Sequence, residues 1–284
     1  MTSWVRMATR PTGTMLGYRG NSNSYLTLKG GAGSSNHMVV NFEESGQGKP
    51  GPFLMIHGAG GSSASWFMQL KMLSDQLQVI ALDLNGHGKT PDRAEPDVTR
   101  SYLDDIHEVV RKLKHPYLCG HSMGGALIQL YALENPENVA GLVLVGTGAR
   151  LKVNPMIFDL LNNNFEGYVE ATGDFMFHEN TADDIREASK VEVRRCPARI
   201  TKRDFEVCNE FDIMEQVSDI RLPTLVVVGE SDLMTPVKYA NYLVDKIADS
   251  KINIIPSAGH AVMLEQAEEF NKALVEWFKS LTQG

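Results

Sequence analysis

The sequence predicts an α/β protein: a mostly parallel sheet of the eight-stranded type, covered by helices on both faces and interrupted by an inserted helical cap. Short apolar runs rich in Val, Ile and Leu recur without alternation, as in strands that are buried on both faces. Stretches of helical periodicity separate these runs, and one long stretch in the second half lacks any strand pattern. With 284 residues, 43% of them hydrophobic and 22% charged, the chain can form one large domain with a sizeable core.

Residues 1–37 are expected to be a leader outside the domain. They are rich in Gly, Ser, Thr and Asn, and the sequence SSNHM at 34–38 resembles vector-encoded residues before a start methionine. A strand is predicted at 38–43. An alternative stays open, in which residues 25–28 form an earlier strand that pairs with it through a glycine turn.

The later apolar runs divide the chain into a core and an insertion. Strands are predicted at 53–56, 79–82, 116–119, 142–145, 225–228 and 252–255, with helices between them. The last helix has one apolar face, formed by Ala267, Phe270, Leu274, Trp277, Phe278 and Leu281. The core is therefore expected at 38–147 and 221–284. Residues 148–220 are expected to form a lid of two to four helices over the carboxyl edge of the sheet.

Composition excludes several classes of protein. The net charge is −8 and there is no basic run, so nucleic acid is not an expected partner. No apolar run approaches the roughly 18 residues that span a bilayer, and the N-terminus lacks the apolar core of a signal peptide. Cys119, Cys196 and Cys208 lack metal-ligand spacing, and a Cys196–Cys208 bridge is open but disfavoured. We expect a cytoplasmic protein without membrane or metal.

Residues 120–125 read GHSMGG, which is a Gly-x-Ser-x-Gly motif with one further glycine. An apolar run leads into it and a helical pattern follows, as in a nucleophile elbow, where a serine occupies a strained strand-to-helix turn. Its neighbours two positions away must be small, and the helix N-terminus favours negative charge beside the serine. The alternative is a glycine-bearing turn that happens to contain Ser122. The flanking strand and helix favour a nucleophile.

A serine nucleophile needs a general base, and the chain offers eight histidines. His57 and His87 lie in glycine-rich loops, and His121 adjoins Ser122 around a sharp turn, where side chains diverge. His260 follows the strand at 252–255, at the carboxyl edge of the sheet where the elbow also opens. We therefore predict His260 as the base.

The acid that orients this base should also follow a strand. Asp232 comes directly after the strand at 225–228, whereas Glu230 lies closer to the strand end and is expected to face solvent. The chain order Ser122, Asp232, His260 is nucleophile, acid, base.

Residues 57–61, HGAGG, follow the strand at 53–56 and supply a candidate oxyanion hole. The backbone N–H of Ala59 can join that of Met123 to bind a developing oxyanion, and glycines allow close approach of the backbone. A phosphate-binding loop is a poor alternative, because the segment lacks both the P-loop ending and the dinucleotide fingerprint.

With these motifs in order, the chain resembles the α/β-hydrolase superfamily over residues 38–282. The motifs are His57-Gly58, Gly120-x-Ser122-x-Gly124, Asp232 and Gly259-His260. Residues 83–90 are similar to the family's Asp-x-x-Gly-x-Gly-x-Ser/Thr loop, with Asn85 where many relatives carry arginine.

The resemblance implies a serine hydrolase that cleaves carboxylic esters of small to medium acyl chains through an acyl-enzyme on Ser122, without cofactor or metal. A lactonase, a carbon–carbon bond hydrolase and a cofactor-free haloperoxidase or perhydrolase stay open. So does a small-molecule receptor on the same fold. Serine rather than aspartate at 122 disfavours dehalogenases and epoxide hydrolases. The expected partner is a small ester or lactone, bound by a monomer or homodimer.

The substrate pocket is expected to involve His57, Trp66, Met156 and Phe158. Trp66 follows the oxyanion loop, with core packing as its alternative. The lid could present an apolar underside formed by Met156, Phe158, Phe175, Met176 and Phe177, although packing against the sheet is favoured for most of them.

Overall fold

The computed structural model describes residues 39–282 and the backbone of a short strand at 24–27. The strands are β1 (Ser24–Thr27), β2 (Val39–Ser45), β3 (Phe53–Ile56), β4 (Val79–Leu82), β5 (Tyr117–His121), β6 (Gly141–Val145), β7 (Thr224–Gly229) and β8 (Ser250–Ile255). They form one eight-stranded sheet in the order β1-β2-β4-β3-β5-β6-β7-β8. Strands β3 to β8 are mutually parallel, and β2 pairs antiparallel with both β1 and β4. The predicted fold class is confirmed.

Strand β1 lies inside the segment expected to be a leader. It pairs with β2 antiparallel, with Tyr25 opposite Asn41, which is the pairing that the sequence left open. Apart from β1, the segment and the vector-like SSNHM sequence at 34–38 lie outside the described part of the chain.

The helices are α1 (Phe67–Met72), α2 (Val98–Val110), α3 (Met123–Glu134), α4 (Pro155–Asn163), α5 (Phe165–Phe175), α6 (Asp183–Arg195), α7 (Ala198–Glu210), α8 (Val237–Lys246), α9 (Val262–Glu265) and α10 (Ala267–Thr282). Side chains cap several of them: Asp97 accepts a hydrogen bond from Arg100 N at the start of α2, and Asn164 accepts one from Gly167 N at the start of α5. No helix within residues 39–282 has both the length and the apolar character needed to cross a bilayer.

Two apolar layers cover the two faces of the sheet. One contains side chains of α2, α3 and α8, and the other contains side chains of α1, α9 and α10. The central strands β3 to β7 are almost wholly buried, which explains their continuous apolar runs. The edge strand β8 instead exposes Ile252 and Ile254 to solvent.

The helices α4 to α7 lie between β6 and β7, in the segment expected to form the lid; we refer to residues 148–220 as the helical insertion. The two ends of the insertion pair with each other close to the core. Ile213 N donates to Ala149 O (2.8 Å), and Arg150 and Asp212 form an isolated antiparallel β-bridge. The insertion has a small apolar cluster of its own, formed by Ile157, Leu161, Tyr168, Val169 and Phe205.

Candidate active site

Ser122 occupies a strained turn between β5 and α3, with φ 52° and ψ −112°. Positive φ disfavours every residue but glycine, so the surrounding structure must hold this conformation. A Cβ at Gly120 would lie 2.3 Å from Gly124 O, and one at Gly124 would lie 2.3 Å from Ile56 O. Both motif glycines are thus required by the close approach of backbone to backbone.

His260 and Asp232 form a buried pair at the ends of β8 and β7. The Nδ1–H of His260 donates to Asp232 Oδ2 at 2.9 Å, and both side chains are almost fully buried. Burial alone would raise the pKa of Asp232, but His260 and hydrogen bonds from Thr235 outweigh burial and hold the pKa below its ordinary value. Asp232 is therefore an ionised acceptor for the Nδ1–H of His260.

The neighbouring carboxylate Glu230 is exposed, as expected. Thr235, which the sequence did not single out, orients Asp232: its amide donates to Oδ1 (2.8 Å) and its hydroxyl to Oδ2 (2.8 Å). A threonine three residues after a strand-end aspartate is the local signal that could have identified it.

The loop that carries His260 is fixed from several sides. His260 N donates to Met176 O of the helical insertion at 2.8 Å, and Gly259 N donates to Glu265 Oε1 at 2.8 Å. The Nε2–H of His121 donates to His260 O at 3.0 Å. Burial, followed by the nearby His260, lowers the pKa of His121 to about 3, so His121 stays a neutral donor. His121, expected to be a packing or loop residue, thus also holds the backbone of His260.

Ser122 and His260 line the same cavity, which has a volume of about 1000 Å³. Among the described residues, no hydrogen bond joins Ser122 Oγ to His260 Nε2. Catalytic hydrogen bonds are often long in unliganded sites and shorten only when substrate binds.

The loop at 57–61 lies against Ser122. A Cβ built on Gly58 would be 3.3 Å from Ser122 Cβ, and Ala59 lines the cavity beside it. Met123 is buried and begins α3, so its amide is among the first N–H groups of the helix, which have no partner within the helix. The two amides expected to form an oxyanion hole therefore belong to adjacent segments of the site.

The four side chains expected in the substrate pocket lie elsewhere, which corrects that prediction. Trp66 is fully buried and packs near Phe270 in the core, with ring centroids 6.2 Å apart. His57 is fully buried beneath its own loop, where Nδ1–H donates to Gly58 O at 2.8 Å. Met156 is 56% exposed and Phe158 packs on the cluster of the helical insertion, and neither lines the cavity.

Other side chains of the helical insertion do face the cavity. They include the apolar and aromatic residues Tyr168, Phe175, Met176, Val193 and Phe205, together with polar residues of α6 such as Asp184, Ser189 and Glu192. Phe175 and Met176 were among the residues considered for the lid underside, whereas Phe177 is buried outside this cavity. Within the described residues, no group of three or more His, Cys, Asp or Glu side chains is placed to hold a metal ion.

A family model described as serine aminopeptidase, S33 matches residues 50–267 of the chain. The chain is also similar to the 2-hydroxy-6-oxo-6-(2'-aminophenyl)hexa-2,4-dienoic acid hydrolase of Metapseudomonas resinovorans. The two are 29% identical over 254 residues, which cover 82% of this chain and 85% of that protein. Similarity to the monoacylglycerol lipase ABHD6 of Mus musculus is 26% identity over 286 residues, covering 87% of this chain and 82% of the lipase.

Among solved structures, a thermophilic esterase has a similar fold, with a TM-score of 0.79 and 29% sequence identity. The match covers 91% of this chain and 98% of the esterase.

Proposed function

Because the chain belongs to the family described as serine aminopeptidase, S33, within the α/β-hydrolase superfamily, we propose that it is a serine hydrolase. Its reaction, in this proposal, is the cleavage of carboxylic esters of small to medium acyl chains through an acyl-enzyme on Ser122. One observation carries the proposal: a serine held at positive φ opens into the same cavity as a buried His260–Asp232 pair.

In the proposed mechanism, His260 Nε2 takes the proton of Ser122 Oγ as the oxygen attacks the ester carbonyl. The carbonyl oxygen becomes an oxyanion that accepts hydrogen bonds from the amides of Ala59 and Met123. His260, now an imidazolium paired with Asp232, protonates the departing alcohol. A water that gives its proton to His260 then releases the acid and restores Ser122.

The ester class is supported by two further observations. The cavity of about 1000 Å³ is at the upper end of small-molecule sites, and its walls in the helical insertion are mainly apolar. The esterase of similar fold shares 29% of its sequence with this chain. In this proposal residues 148–220 act as the cap that supplies part of the acyl pocket.

We also propose a cytoplasmic setting. Cys119, Cys196 and Cys208 are all free and buried, which suits a reducing compartment.

A carbon–carbon bond hydrolase is the second candidate, favoured by the similarity to the dienoic acid hydrolase. The same triad could serve, but the departing group would be a carbon that His260 must protonate. Comparing p-nitrophenyl esters, lactones and a dienoic acid diketone as substrates separates the candidates, because only the preferred class should approach enzyme-like kcat/KM.

Ser122→Ala tests the proposed chemistry. We expect hydrolysis of p-nitrophenyl butyrate by the purified protein, and loss of at least about 1,000-fold in kcat for the variant, because the nucleophile is gone. A fluorophosphonate probe should label Ser122 in the wild type and fail to label Ser122→Ala. Ser280→Ala, an exposed serine on α10, is the matched control and should keep full activity. Full turnover by folded Ser122→Ala would contradict the proposal.

A further inference from the structure

Asp204 is a fully buried carboxylate on the inner face of α7. Its neighbours on that face are mostly apolar: Ile200, Thr201, Phe205, Val207 and Cys208. A buried charge in such surroundings is costly unless it is paired and hydrogen-bonded. All three of its hydrogen-bond donors come from the core domain, more than 100 residues away in the chain.

The first donor is the oxyanion loop. Gly60 N–H donates to Asp204 Oδ2 at 2.8 Å. Gly60 has φ +67°, and a Cβ there would lie 3.0 Å from Thr201, so α7 packs directly on this glycine. One turn of α7 therefore holds the peptide unit that follows Ala59. Fixing this peptide plane also restricts the direction of the adjoining Ala59 amide.

The second donor is His87, whose ring is held between two acceptors. Nε2 lies 2.7 Å from Asp204 Oδ2, and Nδ1 lies 3.1 Å from Asn85 O. A carbonyl and a carboxylate can only accept, so both ring nitrogens must carry protons. Burial lowers the pKa of His87, but the Asp204 carboxylate outweighs burial and raises it to about 10. The pair is thus an imidazolium and a carboxylate.

The third donor, Tyr102 OH, binds the other oxygen, Oδ1, and itself accepts a hydrogen bond from Arg203. Both oxygens of Asp204 therefore have donors, and Oδ2 is shared by the loop amide and the imidazolium. An asparagine could still present its single carbonyl oxygen to Gly60 and His87, because the reversed orientation would place its amide hydrogens against the Gly60 N–H.

We propose that Asp204 is a positioning residue for the oxyanion hole: from the helical insertion it anchors Gly60 and so sets the direction of the Ala59 amide. This inference rests on the proposed function of Ser122 and deepens it. In this proposal the geometry of the oxyanion hole depends on a residue of α7 that lies more than 140 residues along the chain from the loop at 57–61.

Two substitutions and one control test the proposal. Asp204→Leu removes every acceptor, and we expect kcat to fall about 10- to 100-fold with KM changed less than about twofold, because a misplaced donor weakens only transition-state binding. Asp204→Asn keeps an acceptor for Gly60 and should lose less. Arg199→Ala is the control: it removes an exposed bridge from α7 to Asp92 and leaves the hydrogen bonds of Asp204 in place, so kcat should stay within about twofold.

A second readout separates positioning from a merely structural role. A trifluoromethyl ketone forms an oxyanion on a serine nucleophile, so its affinity should fall in the Asp204 variants by the same factor as kcat/KM, and should not fall in Arg199→Ala. Unchanged kcat and ketone affinity in a folded Asp204→Leu would overturn the proposal. If that variant does not fold, Asp204→Ala, which likewise lacks an acceptor, takes its place, and unchanged kcat and ketone affinity there would overturn the proposal.

Failure of the proposed function is recognised separately, from turnover by Ser122→Ala. In that event hydrogen exchange of the Gly60 amide decides whether Asp204 anchors the loop. The amide should exchange at least about tenfold faster in the variant that lacks an acceptor at 204 than in the wild type and in Arg199→Ala, and equal rates would overturn the anchoring.

Discussion

Ser122 has a backbone conformation that glycine adopts more easily. Its φ of 52° and ψ of −112° are kept because the hydroxyl must project from the turn, and the structure enforces them through neighbours. Ser122 N donates to Val145 O at 2.9 Å, and Thr147 Oγ1 donates to Ser122 O at 2.9 Å. Strain of this kind at a single residue costs on the order of 1–3 kcal/mol.

This strain predicts that the free energy of unfolding is larger for Ser122→Gly than for Ser122→Ala, although both variants lack the Ser122 hydroxyl. Glycine relieves the strain but loses about 0.5–1 kcal/mol through chain entropy, so we expect Ser122→Gly to be more stable by about 1 kcal/mol. Urea unfolding of the two variants measures the difference. Equal or reversed stabilities would show that the turn is not strained.

Among the site residues, those with a local signal could be predicted and those without one could not. The elbow is readable because Gly120 and Gly124 are needed by contacts within the turn and with the next strand. Trp66 is close to the oxyanion loop in sequence, but spacing does not say which side of the sheet its ring occupies. It turns into the core.

Asp204 was missed for a different reason. Its partner Gly60 is 144 residues away, and no pattern in a single sequence connects them. The available signal was an acid on the apolar face of a helix, between Thr201 and Phe205. Such a residue is rarely buried without a partner.

At the scale of elements, α6 and α7 are attached to the molecule in different ways. The helix α6 has no buried residue. It meets α5 mainly through ion pairs of Lys190 with Glu170 and of Arg194 with Glu166 and Glu170, besides the bond of Arg186 to Gly173 O and the partly buried Val193. The next helix, α7, buries six residues against the core. Exposed ion pairs stabilise little and are screened by salt, whereas buried apolar contacts are not.

We therefore expect the amides of α6 to exchange faster than those of α7, with the gap widening in 0.5 M salt, which is about a 4 Å screening length. Arg194→Gln should accelerate exchange in α6 further. Arg195→Gln is the matched control, since the partner of Arg195 within residues 39–282 is Glu192 of its own helix. Hydrogen exchange followed by mass spectrometry measures these rates. Equal protection of the two helices would contradict this account.

The sequence predicts where the helices and strands lie along the chain, but not how firmly each one is held by the rest of the molecule. Apolar periodicity predicts the core strands and α10 because these faces are buried in a continuous layer. The edge strand β1 was left open, since a four-residue strand that pairs on one side has little pattern of its own.

For the whole molecule, three buried histidines set opposing pH dependences. Burial, followed by the charge on His87, lowers the pKa of His57 to about 4, and burial lowers that of His121 to about 3. Both are below the ordinary value of about 6.5, so the unfolded chain binds more protons in acid and stability falls below pH 6.5. His87 has a pKa of about 10, so the folded protein holds an extra proton and stability falls above pH 6.5.

The free energy of unfolding should therefore pass through a maximum near pH 6.5. A histidine that binds its proton in only one of the two states contributes at most about 1.4 kcal/mol per pH unit to the slope of the unfolding free energy. Urea unfolding between pH 5 and pH 8.5 tests this; above that range the buried thiols Cys119 and Cys208, whose pKa values burial raises, add a slope of their own. In His87→Gln the decline from pH 6.5 to 8.5 should disappear while the acid decline remains. A decline unchanged in that variant would assign it to another group.

The bond from Gly60 to Asp204 also limits how this chain can be recombined with its relatives. Residues 148–220 leave and rejoin the core at paired positions, so the interval can be cut out as one block and replaced by the cap of a homologue. A donor cap without an acid at the matching turn of its last helix would leave a charged ring at His87 and an unpaired amide at Gly60. A working chimera therefore has to bring that acid with it, or exchange His87 in the same step.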